Sequence, residues 1–221
     1  MFVKICGLTR PQDARFAIER GASVIGMVTR VPESPRNNNL ENLKKIAAEV
    51  DCCRVALLYR NSTPEEIISD LRCLRPGIIH LCGNENTGFR EILRRFCPKV
   101  SIWQSLGYPL DQEPGEEWDL RLRELLSDLT VDQAVIDCSL GGKTGGTGNP
   151  LPFSSLAGRL GSRAERVVLA GGISPENICE LVAHISPLGI DASSGVESAP
   201  GIKDPARMGE LIDQVLKHGQ A

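Results

Sequence analysis

The sequence predicts an α/β fold in which a single (β/α)8 barrel spans residues 1–221. Eight short apolar runs, several of them rich in β-branched residues, alternate with segments of helical spacing. No linker-like or low-complexity segment divides the chain, and 221 residues is enough for one large α/β domain. A doubly wound open sheet shows the same alternation and is the remaining alternative.

The strands are predicted where short apolar runs end at Gly, Pro or polar residues. In chain order they cover residues 2–6, 23–28, 53–59, 77–82, 100–105, 133–137, 167–170 and 188–191. The second strand is followed by residues 29–39, which are rich in Pro, Asn and Arg. A connection of eleven residues is long for such a unit, which indicates a functional loop.

The intervening helices are predicted from amphipathic spacing and from residues that cap helix starts. Spacing alone places four of them at 40–47, 89–96, 116–127 and from about 154. Capping signals begin the other four: Thr9 with Gln12, Thr63-Pro64 with Glu66, Ser174-Pro175, and Asp204-Pro205.

Three loops of small residues follow the last three predicted strands. In a barrel, the loops after strands seven and eight commonly hold phosphate, because unpaired backbone amides there favour an anion. A lone Gly-Gly pair is also typical of a tight turn, but three such loops together indicate one site and an enzyme that acts on a small phosphorylated substrate. These loops are Gly145-Gly146-Thr147-Gly148, Gly171-Gly172 and Ser193-Ser194-Gly195.

Composition excludes several other classes. The formal net charge is −3, and no Lys/Arg run has interleaved aromatic residues, so nucleic acid is not expected as a partner. No stretch of about 18 apolar residues and no signal-type segment occurs, so we expect a soluble, cytoplasmic protein without a membrane partner. No heptad pattern indicates an oligomer, and the oligomeric state stays open.

The eight cysteines do not form a Cys-x-x-Cys pair, and a chain with an evident core needs no disulfide scaffold. Free cysteine behaves as a small hydrophobe, so those in or beside apolar runs are expected in the core. These are Cys53, Cys73, Cys82, Cys97 and Cys179.

Five sequence blocks, in this order along the chain, resemble phosphoribosylanthranilate isomerases of tryptophan biosynthesis. They span nearly the whole chain, and the first and last are the specific signatures. The blocks are Lys4-Ile5-Cys6-Gly7-Leu8-Thr9, Pro32-Glu33-Ser34-Pro35-Arg36, Asp137 with Gly145-Gly146-Thr147-Gly148, Ala170-Gly171-Gly172-Ile173-Ser174-Pro175-Glu176-Asn177, and Asp191-Ala192-Ser193-Ser194-Gly195-Val196-Glu197.

The resemblance implies a cofactor-free, acid-base catalysed Amadori rearrangement of N-(5-phosphoribosyl)anthranilate, an aminoaldose, to an aminoketose. It also implies residue roles: Cys6 as general base, Asp137 as general acid, Arg36 for the anthranilate carboxylate and Asp191 near the bridging amine. The phosphate is assigned to Gly145, Gly146, Gly171, Gly172, Ser193, Ser194 and Gly195.

The chemistry sets two conditions on these residues. Asp137 can donate a proton at pH 7 only if burial raises its pKa well above about 3.9. Cys6 can act as a base only if its thiolate is favoured below the ordinary thiol pKa of about 8.5. Lys4 either holds a carboxylate beneath the site or is simply an ion-pair partner inside the barrel.

The chain departs from the family pattern around the aromatic half of the substrate. Met27-Val28-Thr29-Arg30-Val31 stands where the family usually has an aromatic-rich Phe-Val-Phe-type strand end, and it is one residue longer. His80-Leu81-Cys82-Gly83 replaces Gln-Leu-His-Gly, and Pro152-Phe153-Ser154 replaces the Phe-Asp-Trp that normally follows the Gly-Gly-Thr-Gly loop. His80 and Cys82 share a strand face, but two such residues are weak evidence for a metal site. A paralogous phosphosugar isomerase or epimerase, or a non-catalytic phosphosugar-binding protein, therefore remains an alternative.

Overall fold

The structure, a computed structural model, describes residues 1–140, 143–144 and 149–218. Eight parallel strands alternate with eight helices, which confirms the predicted (β/α)8 fold, a TIM barrel. The strands are β1 Phe2–Ile5, β2 Val24–Thr29, β3 Val55–Tyr59, β4 Ile78–Leu81, β5 Ser101–Pro109, β6 Gln133–Leu140, β7 Val167–Leu169 and β8 Gly189–Ala192. The helices are α1 Pro11–Glu19, α2 Leu40–Ala47, α3 Pro64–Leu74, α4 Thr87–Phe96, α5 Glu116–Ser127, α6 Phe153–Leu160, α7 Ile178–His184 and α8 Pro205–His218.

The sheet closes on itself because β1 pairs with both β2 and β8. All eight pairs around the ring are parallel, so every strand ends at the same face of the barrel. Closure excludes the doubly wound open sheet. Lys4 is in register with Asp191 across the β1–β8 pair, which places a cation beside an anion inside the barrel.

The apolar core has two parts, as expected when strand residues alternate between the barrel interior and the helix layer. The larger part lies between strands and helices, and a smaller cluster fills the barrel interior around Trp103. The ring of Trp103 contacts Phe2 on one side and His80 on the other, with ring centroids 5.7 Å and 6.1 Å apart. This apolar plug forms the floor on which the polar residues of the interior rest.

The capping predictions had mixed outcomes. Thr63 and Glu66 form the predicted capping box of α3, and Asp204 accepts backbone hydrogen bonds at the start of α8. The box predicted at Thr9 is wrong, because the Thr9 hydroxyl donates to the carbonyl of Gly201 on the loop before α8. A long-range tertiary hydrogen bond has replaced the local one.

The start of the seventh helix was also predicted too early. Helix α7 begins at Ile178, and the Asn177 side chain accepts from the backbone amide of Ser174, so residues 174–177 form a turn.

The prediction that cysteines beside apolar runs lie in the core was wrong for Cys53, Cys73 and Cys179, which are exposed, while Cys6 and Cys138 are buried.

No helix among the described residues is both long and apolar enough to cross a membrane.

The long loop after β2 is held in place by the buried side chain of Asn38. Its Nδ2 atom donates to the carbonyls of Leu8, Val28 and Arg36 at 3.0–3.2 Å. Its Oδ1 atom accepts from Asn42 at 2.6 Å. Asn38 thereby ties the end of β2, the loop after β1 and the backbone of Arg36 into one rigid unit.

We expect Asn38→Ala to lower the free energy of unfolding by roughly 2–4 kcal/mol, because it leaves several buried carbonyls without donors. The neighbouring Asn39→Ala is the matched control. It removes one hydrogen bond from an exposed helix cap, which costs about 1 kcal/mol. Urea unfolding of both variants measures the difference, and equal losses would contradict the role given to Asn38.

Candidate active site

A cavity of about 270 Å³ opens at the face where the barrel strands end. It brings together Cys6 at the end of β1, Asp137 in β6 and Asp191 in β8, and the loop after β2 adds Arg36. Four of the small residues predicted to bind phosphate, Gly171, Gly172, Ser193 and Ser194, also line it. Gly145 and Gly146 lie outside the described residues.

A buried ion pair lies beneath the cavity. The side chain of Lys4 is completely buried, and its Nζ donates to Oδ2 of Asp191, whose side chain is 6% exposed. The attraction of Asp191 raises the pKa of Lys4 above its ordinary value in spite of burial, so the ammonium stays charged. Oδ1 of Asp191 is buried and has no hydrogen-bond partner among the described residues, and Asp191 lines the cavity.

Asp137 meets the condition for a general acid. Burial, followed by the negative charge of Asp191, raises its pKa to about 7. The backbone amide of Cys138 donates to Oδ1 at 2.8 Å and opposes that shift only in part. Near neutral pH this carboxyl therefore holds a proton for much of the time, which an ordinary aspartate does not.

Cys6 does not meet the condition for a base at rest. Burial raises the pKa of its thiol above the ordinary value, and the nearby Lys4 ammonium lowers it without offsetting the burial. The condition that the thiolate be favoured below the ordinary thiol pKa is therefore not met in the unliganded site.

Arg36 is not a free loop cation. Its Nε and Nη2 donate to both carboxylate oxygens of Glu197 at 2.8 and 2.7 Å, and Glu197 also accepts from the buried Nζ of Lys203 at 2.8 Å. Lys203 donates in addition to the backbone carbonyl of Ser193. The guanidinium is thereby fixed at the cavity wall, and its Nη1 makes no hydrogen bond to a described residue.

The glycines in the loops after β7 and β8 allow other backbone segments to approach closely. Gly171 and Gly172 have φ of +89° and +61°, and a Cβ at Gly172 would collide with the backbone of Asn149 and Pro150. Gly195 does not line the cavity. It packs against the backbone of Ile173 and accepts hydrogen bonds from Arg207, so it joins the loops after β7 and β8.

His80 and Cys82 lie on the barrel interior and line the cavity. His80 Nε2 is 2.9 Å from the hydroxyl of Ser105, and burial lowers the pKa of this histidine well below its ordinary value, so the ring is neutral. Burial raises the pKa of Cys82 to about 12. Among the described residues no group of three or more His, Cys, Asp or Glu side chains could hold a metal ion.

Sequence reasoning missed two residues of the site. Glu197 belongs to the last of the five sequence blocks, but no role was predicted for it. Its bidentate contact is with Arg36, 161 residues away along the chain, and such a contact leaves no local signal in the sequence. Arg60 lines the cavity directly after β3. Arg60 could have been identified from the sequence, because it is a charged residue at the end of a predicted strand, where barrel active sites lie.

Known proteins resemble this chain over nearly its whole length. The family model of N-(5′-phosphoribosyl)anthranilate (PRA) isomerase matches residues 3–214. The chain is 30% identical to the N-(5′-phosphoribosyl)anthranilate isomerase of Methanosarcina acetivorans over 96% of this chain and 92% of that protein.

Two solved structures agree with that match. Phosphoribosyl anthranilate isomerase from Thermus thermophilus superposes with a TM-score of 0.79 at 30% identity, covering 98% of this chain and 99% of that one. A phosphoribosyl anthranilate isomerase in complex with reduced 1-(o-carboxyphenylamino)-1-deoxyribulose 5-phosphate superposes with a TM-score of 0.76 at 25% identity, with the same coverage.

We expect the Asp137 carboxyl to titrate near pH 7, protonated below and ionised above, when followed by ¹³C NMR. Asp191→Asn removes the neighbouring negative charge and should lower that pKa. Glu176→Gln, which removes an exposed carboxylate paired with Arg207, is the control and should leave the titration unchanged. A wild-type titration near pH 4 would contradict the assignment of Asp137 as an acid.

Proposed function

The chain belongs to the N-(5′-phosphoribosyl)anthranilate isomerase family, and we propose that Asp137 and Cys6 are its general acid and general base. The enzyme converts phosphoribosylanthranilate to the carboxyphenylamino-deoxyribulose phosphate in tryptophan biosynthesis. The observation that carries this assignment is the raised pKa of Asp137 in a cavity that it shares with Cys6. The two steps of an Amadori rearrangement need one acid and one base.

Asp137 starts the reaction by protonating the ring oxygen of the ribose. The C1′–O bond breaks as the anthranilate nitrogen supplies its electron pair, which gives an open-chain iminium ion. A carboxyl with a pKa of about 7 suits this step, because it is protonated often enough and still releases its proton readily.

Cys6 then accepts the proton from C2′. The electron pair of that C–H bond forms the C1′–C2′ double bond and neutralises the iminium, which gives an enolamine that tautomerises to the ketone. Because the resting thiol is neutral, it first releases its own proton to bulk water, and the positive iminium formed beside it stabilises the resulting thiolate, which is the form that accepts the C2′ proton. The base is thereby activated only after ring opening.

Arg36 is proposed to bind the anthranilate carboxylate, with Glu197 fixing its guanidinium at the cavity wall. Asp191 is proposed to accept from the bridging amine through Oδ1, the oxygen that has no partner within the described ranges. The small-residue loops are proposed to hold the phosphate through backbone amides and hydroxyls. Of these residues Gly171, Gly172, Ser193 and Ser194 line the cavity, while Gly145 and Gly146 lie outside the described residues. Gly195 does not line the cavity, and its proposed contribution is to hold the loop after β8 in place through Arg207.

The substrate proposed for this chain is thus a phosphorylated sugar that carries an aromatic amine, in keeping with the product analogue held by the related structure. A cytoplasmic location is proposed as well. All eight cysteines are free thiols, four of them exposed, and a reducing compartment maintains thiols in that state.

We expect Cys6→Ala and Asp137→Ala each to reduce kcat by roughly 10²–10⁴-fold, because each removes one of two proton-transfer groups. The assay is the loss of anthranilate-type fluorescence with phosphoribosylanthranilate generated in situ. Cys52→Ala, at an exposed cysteine outside the cavity, is the matched control and should keep wild-type activity. Full activity of either site variant would remove that residue from the mechanism.

We expect Arg36→Gln to raise KM by roughly 10- to 100-fold with a smaller change in kcat, since a charged hydrogen bond to the substrate carboxylate is lost. Arg10→Gln is the control. Arg10 also binds a carboxylate, that of Asp13, through two hydrogen bonds, but it does not line the cavity. Equal KM values in the two variants would overturn the role of Arg36.

A further inference from the structure

The ammonium of Lys4 faces both the proposed base and a carboxylate of the cavity wall. It donates to Oδ2 of Asp191 on β8, and its positive charge acts on the Cys6 thiol two residues along its own strand. A Cβ placed on Gly26 of β2 would be 2.8 Å from Cys6 Sγ and 3.1 Å from Lys4 Nζ. The two atoms therefore border the same small space, which is open because residue 26 has no side chain.

We propose that Lys4 is a positioning residue whose ammonium is the counter-charge for the Cys6 thiolate, and that Asp191 competes for this ammonium until substrate binds. The proposal rests on the function assigned to Cys6 above. It gives Lys4 an electrostatic role in the reaction, beyond that of an ion-pair partner inside the barrel.

The other cations near Cys6 act on it less strongly than Lys4 does. Arg36 and Lys203 share the single negative charge of Glu197, and Lys203 lowers the pKa of the thiol less than Lys4 does. Cys82 is a neutral thiol of raised pKa. The charged and titratable groups that act on Cys6 are Lys4, Asp191, Lys203, Arg36 and Cys82.

Asp191 provides the link to substrate. Lys4 is bound to Oδ2, and Oδ1 has no partner in the part of the chain that the structure describes. A donor on the substrate that binds Oδ1 withdraws negative charge from the carboxylate and weakens its hold on the ammonium, which then interacts more strongly with sulfur. Lys4 keeps its proton throughout, while the proton on C2′ moves to Sγ and the C–H electron pair forms the C1′–C2′ double bond.

The test is the pH dependence of Cys6 alkylation by iodoacetamide in the full chain, followed by mass spectrometry of the peptide that contains Cys6. Thiolate is the reactive form, so the midpoint of the rate profile reports its formation. We expect Lys4→Met to slow alkylation about tenfold at pH 8, which corresponds to an upward shift of about one pH unit. Asp191→Asn should shift the midpoint downward, because it releases Lys4 and removes a negative charge.

Opposite shifts from the two partners of one ion pair are the distinguishing result. A purely structural ion pair predicts no shift, or the same shift from both variants, and either outcome would overturn the proposal. Lys203→Met is the matched buried-lysine control, and its shift should be smaller than that of Lys4→Met. A shift of equal size would assign the effect to buried positive charge in general and would also overturn the proposal.

A double variant guards against misfolding, because Lys4→Met alone leaves a buried carboxylate unpaired. Lys4→Met/Asp191→Asn removes both charges, and its alkylation midpoint should lie above that of Asp191→Asn. Identical midpoints would contradict the role of Lys4. Activity retained by Cys6→Ala would overturn the proposed base, whereas the alkylation profiles test Lys4 independently of turnover.

Discussion

The buried ion pair between Lys4 and Asp191 is the interaction on which the site depends. Two charges inside a barrel are costly in free energy unless they are paired, and removing one partner leaves the other as an uncompensated buried charge. The pairing is possible because barrel closure sets β1 beside β8 in register. The same carboxylate then raises the pKa of Asp137, and the same ammonium faces Cys6. Closure of the sheet thus sets the electrostatics of the proposed acid and base together.

The pKa values of the proposed acid and the proposed base are shifted in the same direction in the unliganded site. Burial raises the pKa of both Asp137 and Cys6, which suits the acid and disfavours the base. With its thiol protonated, the proposed base cannot take a proton until a positive charge nearby favours the thiolate. In the proposed mechanism the iminium supplies that charge at the step where the thiolate is needed.

Local sequence signals were reliable where local interactions decide structure. The helix predicted at residues 116–127 matches α5, and the capping box at Thr63 is present because its partners lie three residues apart. The capping box predicted at Thr9 is absent because the Thr9 hydroxyl donates to the carbonyl of Gly201, a distant partner that no local pattern reveals. The exposed thiols of Cys53, Cys73 and Cys179 show the same limit, since a position beside an apolar run does not fix which side of the element a residue occupies.

The sequence by itself determined the barrel, the order of its elements and the strand ends where Cys6, Asp137 and Asp191 lie, because periodicity and loop chemistry are local properties. Tertiary structure alone decided the partners of those residues. The ring of strands joins Lys4 to Asp191 across 187 residues, and the loop after β2 brings Arg36 to Glu197 across 161. A pKa depends on burial and on neighbouring charges, and both arise only when distant parts of the chain meet.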